Sequence, residues 1–164
     1  MITLSPAGQH ELKGIEGLRL EVYDDRTGKT LHSGQKPIGY PTVGYGHKLP
    51  KDWEHTLYAG GISQDKAEEL FQNDLHHFER AASDIINPLI QARLNQNQKD
   101  ALLLFIFNIG IGAFSRSTAR KILNAGMFSL VPAAMKMWVR DDFGINEGLV
   151  MRREREAGLF KMPV

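Results

Sequence analysis

The stretch Glu16-Gly17-Leu18-Arg19-Leu20-Glu21-Val22-Tyr23-Asp24-Asp25 contains a change of periodicity, and that change decides the fold class. Upstream, Ser5-Pro6 supplies a helix start: a hydroxyl that can cap, then a residue whose fixed φ suits the first turn. Gly17 is the expected stop, which makes Glu16 the last residue of that helix. Downstream, Leu18, Leu20 and Val22 alternate with Arg19, Glu21 and Tyr23, the period of two of a half-buried strand. Turn residues then crowd in, with Asp24-Asp25, Gly28, Ser33-Gly34, Pro37, Gly39 and Pro41. Thr42-Val43-Gly44-Tyr45-Gly46-His47 reads as one further short strand whose glycines permit close backbone approach. A small antiparallel sheet with long turns is therefore expected near the front of the chain.

Beyond it the period lengthens. Ser63 opens a helix in which Ala67, Leu70, Phe71, Phe78, Ala82 and Ile85 recur at three- and four-residue spacing, and Asn87-Pro88 closes it. Asn95, with Gln98 three residues on, matches a capping box at the start of the next helix. Leu102 to Phe107 is apolar on every side, the pattern of a helix buried all round, and Asn108-Ile109-Gly110-Ile111-Gly112 breaks it. Further helices are expected at about 117–124, 132–141 and 147–157. A small sheet followed by a helical remainder is an α+β arrangement.

Composition narrows the function classes. The 164 residues are 42% hydrophobic and 24% charged, and the mean hydropathy is −0.29, values of an ordinary globular protein. The formal net charge of +1 lacks the concentrated basic excess of a nucleic-acid binder. Arg152-Arg153-Glu154-Arg155 is the densest basic run; interleaved with acid, it reads as a solvated helix face. The absence of cysteine excludes disulfides and thiol chemistry. The N-terminus shows no basic segment followed by an apolar one, and the longest apolar run, Ala101 to Phe107, is far short of the ~20 residues that cross a bilayer. Neither an export signal nor membrane insertion is expected.

Three polar groups at the front could carry chemistry: Glu16 at a helix end, Asp25 at a strand-to-turn junction, and Thr42. Paired carboxyls are what glycoside hydrolysis requires, one protonated to supply a proton and one ionised to activate water or attack carbon. Spacing alone also fits a helix-end carboxylate beside an Asx-turn aspartate. Asp74 lies on the apolar side of the long helix and needs a partner, for which His47 is the candidate. The adjacent His76 and His77 cannot face one ligand site together, so no metal is implied. Gly44-Tyr45-Gly46 lacks the third glycine and following helix of a phosphate fingerprint. Trp53 and Trp138 could stack on sugars, but isolated tryptophans more often belong to the core or its rim.

The Glu16-to-Asp25 segment, together with Thr42-Val43-Gly44-Tyr45-Gly46-His47, resembles the active-site signature of the phage-type lysozymes (glycoside hydrolase family 24). Phe107-Asn108-Ile109-Gly110 with Gly112-Ala113-Phe114 and Ser117-Thr118 is similar to the family's central-helix motif. Gly148-Leu149-Val150, Arg152-Arg153, Glu156 and Leu159-Phe160 are similar to its C-terminal one. The resemblance implies a two-lobed lysozyme-like fold: an active-site lobe over about residues 12–62, a linking helix over 63–86 and a helical lobe over 88–164, with a cleft between the lobes. It implies a muramidase that cleaves peptidoglycan by inversion, with Glu16 as general acid, Asp25 acting through water and Thr42 holding that water. To donate a proton near neutral pH, Glu16 would need its pKa raised above the ordinary ~4.3, and apolar neighbours and a helix C-terminus both push that way. Inversion would place the carboxyls roughly 6.5–9.5 Å apart. No cofactor is implied. A monomeric endolysin is expected, made in the host cytoplasm, with no nucleic-acid partner and with release through a separate holin-type pore; a tail-associated or secreted lysozyme fits the same residues. A catalytically silent wall-binding module is the rival from another class, and retention of all three polar residues speaks against it. One departure stands out: sixteen residues separate Asp25 from Thr42, far more than in many members of the family. The extra material, around 26–38, is expected to form a longer hairpin or loop overhanging the cleft.

Overall fold

The computed structural model describes residues 1–163. Its elements in chain order are α1 (Pro6–Glu16), β1 (Arg19–Asp24), β2 (Pro41–Gly44), β3 (His47–Lys48), α2 (Gln64–Ile85), α3 (Pro88–Gln91), α4 (Gln96–Ile109), α5 (Ile111–Arg116), α6 (Thr118–Asn124), α7 (Val131–Met135), β4 (Arg140–Asp141), β5 (Gly144–Ile145) and α8 (Glu147–Lys161). This is the α+β class expected from the sequence. The chain divides into two compact units, one of residues 10–76 and one of residues 1–9 with 77–164, so the boundary falls inside α1 and inside α2.

In the unit of residues 10–76, β1, β2 and β3 form an antiparallel sheet in that order. The segment Thr42 to His47, expected as one strand, is two strands joined at Tyr45-Gly46, because Gly44 and Gly46 adopt the left-handed φ values of 69° and 90° that a reversal needs. The alternation in β1 is only partly realised: Val22 is buried whereas Leu18 and Leu20 are exposed, and a register shift between Arg19 and Tyr23 interrupts the pleat. The core of this unit is Val22, Val43, Leu49, Trp53 and Leu70, with Leu31, Tyr58 and Ile62 packed against it. Trp53 is thus a core residue, not a platform for sugars.

Helix starts follow their capping chemistry. Ser63 Oγ accepts from Lys66 N–H at the head of α2. Asn95 and Gln98 form the expected reciprocal box at the head of α4. Asn87 both ends α2 and caps the short α3. The buried stripe of α2 runs through Ala67, Leu70, Phe71, Leu75, Glu79, Ala82 and Ile86; Phe78 and Ile85 are only partly covered.

In the unit of residues 1–9 with 77–164, α4 is buried from Asp100 to Ile106 and packs against α8. The first residues of the chain belong here because two buried carboxylates satisfy their backbone donors. Leu4 N–H donates to Glu79 at 2.8 Å and Ser5 N–H to Asp100 at 2.9 Å. The helix expected over 132–141 stops at Met135, and the chain instead forms the two-stranded hairpin β4–β5, with Gly144 at φ 118° where it turns back.

The basic run on α8 is only in part the solvated face expected from its interleaved charges: Glu154 and Arg155 are exposed, but Arg153 is buried. Arg153 is 0% and Glu156 1% exposed. Arg153 Nη2 donates to Glu156 Oε1 at 3.1 Å and to Asn108 Oδ1 at 2.7 Å, and Arg152 Nε donates to the same Glu156 oxygen at 3.1 Å. The Arg153 guanidinium lies 4.8 Å over the Phe105 ring. Burial pulls the Arg153 pKa below the ordinary arginine range; Glu156 opposes that pull and the charge of Arg152 adds to it. A buried pair is costly to break from one side because the remaining charge is left uncompensated. Glu156→Gln is accordingly expected to lower the unfolding free energy by about 3–5 kcal/mol in urea titrations. A loss below about 1 kcal/mol would mean that the pair contributes no more than a surface contact does.

Candidate active site

All three candidate residues lie in the unit of residues 10–76. Glu16 closes α1, where Gly17, at φ 72°, donates its N–H to Lys13 O at 2.9 Å and ends the helix. The positive φ of Gly46, at the reversal between β2 and β3, keeps that glycine's backbone beside Glu16: a Cβ there would stand 3.8 Å from Glu16 Oε2. Thr42 sits in the middle strand, paired with Tyr23 on one side and Lys48 on the other, and is 2% exposed. Its hydroxyl donates to Tyr40 O at 3.0 Å, which leaves the oxygen lone pairs as acceptors.

Asp25 directly follows β1. Its side chain is 27% exposed; Oδ1 accepts from Tyr40 N–H at 2.7 Å and Oδ2 lies 3.3 Å from Lys48 Nζ. Tyr23 relates the two carboxyls to each other. Burial is the main cause that raises the pKa of its phenol; Arg19, stacked 4.3 Å over the ring, opposes it, and the charges of both Glu16 and Asp25 raise it further.

The long connection between Asp25 and Thr42 does not disturb this register, and the reason is Asp24. Its side chain is buried and accepts four backbone N–H groups: Arg26 and Thr27 at 2.9 Å on Oδ1, Gly39 at 2.9 Å and Ile38 on Oδ2. The two ends of the extra segment are thus tied to one carboxylate. Asp25 N–H then donates to Tyr40 O at 3.0 Å, continuing the β1–β2 ladder past the insertion. The segment begins as a tight hairpin on β1, with Asp24 N–H donating to Lys29 O at 2.9 Å and Leu31 N–H to Val22 O at 2.8 Å, and Leu31 packs on the core. The Asx-turn role that the sequence allowed for Asp25 falls to its neighbour.

Three contributors escaped the sequence reading. Tyr23 and Asp24 lay inside the quoted motif without a role. Asp24 is two residues from the buried Val22, so the strand period itself marked its side chain as inward. Gly39 is the third: a Cβ there would meet Asp25 Oδ1 at 2.1 Å, so only glycine leaves room for that carboxylate. Nothing in the sequence distinguishes it from the other glycines of the segment.

The pairing expected for Asp74 is present. His47 Nδ1 lies 2.8 Å from Asp74 Oδ2, with the two side chains 26% and 32% exposed. The pair sits at a rim with solvent access, not in the core.

The chain resembles known proteins over nearly its whole length. The sequence profile of the phage lysozyme family matches residues 13–156. The endolysin of Salmonella phage P22 is 35% identical over 161 residues, covering 98% of this chain and 99% of that protein. The endolysin of Bacillus phage B103 is also 35% identical, over 97% of this chain, which spans only 54% of that longer protein. Among solved structures, a mutant of P22 lysozyme superposes with a TM-score of 0.75 at 34% identity, covering 99% of this chain and 100% of that one. The muramidase domain of SpmX from Asticaccaulis excentricus gives 0.78 at 30% identity with the same coverage. A fold and site of this kind define a glycoside hydrolase of the lysozyme type. The chain belongs to the phage lysozyme family and is a peptidoglycan hydrolase.

Two expectations follow for the groups that frame the site. Burial favours the protonated form of Asp24, but the four N–H donors outweigh it and hold its pKa down at about 2, against an ordinary 3.8. Its stabilising effect is therefore complete above about pH 4 and is lost as the pH falls through about 2. Asp24→Asn is expected to melt earlier at pH 7 and to lose less between pH 4 and pH 2 than the unaltered protein; parallel melting curves against pH would refute the role of Asp24. Asp74→Asn is expected to cost at most about 1 kcal/mol near neutral pH, as a partly exposed pair should, while hydrolysis continues. An unchanged melting temperature would count against the contribution of His47–Asp74.

Proposed function

We propose that Glu16, Asp25 and Thr42 hydrolyse the β-1,4 bond between N-acetylmuramic acid and N-acetylglucosamine with inversion. In this reading Glu16 gives its proton to the departing glycosidic oxygen while a water attacks the anomeric carbon from the opposite face. Asp25 takes the proton of that water, and the acceptor lone pairs of Thr42 Oγ1 orient it. The C–O bond to the leaving sugar breaks as the bond from water forms, so the product is the α anomer. The observation that carries the reading is the ladder that sets Thr42 opposite Tyr23, two residues before Asp25, with the Gly46 backbone of the adjoining turn beside Glu16.

The resemblance to phage endolysins supports a role in opening the host wall, with peptidoglycan as the substrate. Among the described residues no helix is long and apolar enough to cross a membrane. The proposed course is synthesis in the host cytoplasm, monomeric action, and release through a separate holin-type pore.

Glu16→Gln keeps the side-chain shape but removes the transferable proton. It is expected to abolish clearing of purified peptidoglycan while the far-ultraviolet circular dichroism spectrum stays unchanged. Proton NMR of the first product from the unaltered protein is expected to show the α anomer. Full activity in the variant would remove Glu16 from the mechanism, and a β anomer would remove inversion.

A further inference from the structure

The segment between Asp25 and Thr42 carries charges that the hydrolysis does not use. From 26 to 38 it contains Arg26, Lys29, His32 and Lys36 and no acidic residue. All four are exposed, and none forms an ion pair among the described residues. The segment is nonetheless well fixed: Asp24 ties its ends, Leu31 packs on the core, His32 N–H donates to Gln35 Oε1 at 3.0 Å, and Gly34 N–H donates to Glu54. Fixed cations lose less freedom on binding than cations on a loose loop.

Between these supports lies a hollow of about 490 Å³ lined by Asp24, Thr27, Lys29, Gln35, Lys36 and Ile38. Its one carboxylate, Asp24, already accepts four N–H groups. The other acids nearby have other partners or face an adjoining hollow: Asp25 faces Lys48, Glu54 accepts from Gly34, and Glu21 lines a neighbouring hollow that shares Thr30, Leu31 and His32 with this one. Lys29 and Lys36 are thus two lysines lining a recess of mixed polar and apolar character that can hold amino-acid-sized groups.

We propose that this recess binds the free carboxylates of the peptide stem that hangs from the muramic acid. The proposal rests on the hydrolysis described above. Asp24, which lines the recess, directly precedes Asp25, and the stem is attached to the very sugar whose bond is cut. A carboxylate is therefore the anion that must come within reach of these lysines whenever a strand is engaged.

The test compares kcat/KM on two soluble substrates: glycan strands bearing their peptide stems, and the same strands stripped by an amidase. The unaltered protein is expected to prefer the stem-bearing strands by about fivefold, the order that two exposed ion pairs supply. The preference should shrink with added salt and vanish when the stem carboxylates are amidated. In Lys29→Ala/Lys36→Ala the ratio is expected to fall to about one. Lys29→Arg/Lys36→Arg and the exposed Lys51→Ala, which lies outside the recess, should keep it. The proposal is overturned if the unaltered protein shows no preference, or if the double alanine variant retains it. It is also overturned if the preference survives stem amidation but disappears when wall phosphates are removed, since the bound anion would then be a phosphodiester. Failure to cut either substrate would instead bring down the hydrolytic reading, and this one with it.

Discussion

One buried carboxylate sets the geometry of the front of this protein. Asp24 accepts backbone N–H groups from both ends of the segment that follows it, so a long excursion leaves and returns at nearly the same point. Closing a flexible loop costs entropy that grows only slowly with its length, and a single well-satisfied acceptor can fix such a closure. The consequence is that β1 and β2 keep their ladder through Asp25 and Tyr40 despite the insertion. Asp25 can then stay partly exposed and available, because the structural work of an aspartate at this corner is done one residue earlier.

The same division of labour recurs elsewhere. Thr42 spends its hydrogen on Tyr40 O and keeps its lone pairs. Gly39 contributes by lacking a side chain, which leaves the Asp25 carboxylate its place. Lys48 balances Asp25 from the neighbouring strand while lying 4.7 Å over the Tyr40 ring. In each case a neighbour in the sheet or its turns, whether backbone, glycine or lysine, fixes the position of a polar side chain.

Much of this was legible in the sequence. Helix starts at Ser5, Ser63 and Asn95 could be read because a cap is a local contract between residues three apart. The buried α4 and the His47–Asp74 pair followed from periodicity and from the cost of an unpartnered charge. The candidate trio came from the resemblance, not from spacing, since two carboxylates nine positions apart are common. What stayed hidden depends on distant neighbours. Arg153 reads as surface because its run alternates charge as a solvated face does; it is buried because Glu156 and, from α4, Asn108 and Phe105 supply its partners. Only the first strand of the β4–β5 hairpin falls within the expected helix, because the six residues from 140 to 145 carry no turn signal apart from Gly144. The insertion was recognised as a departure, but its anchoring on Asp24 required knowing that residues 38 and 39 return to the start.

The discontinuous make-up of the helical unit has a bearing on biosynthesis. Residues 1–9 emerge from the ribosome well before the carboxylates that receive them, Glu79 and Asp100, which follow some seventy to a hundred positions later. Residues 10–76 are contiguous and can condense on local contacts as they appear, whereas the other unit must hold an unpaired leading strand of chain in reserve until α4 arrives. Ile2 and Leu4, fully or almost fully covered in the finished molecule, are during that interval bare apolar side chains in the nascent polypeptide. A holdase would have reason to grip them there.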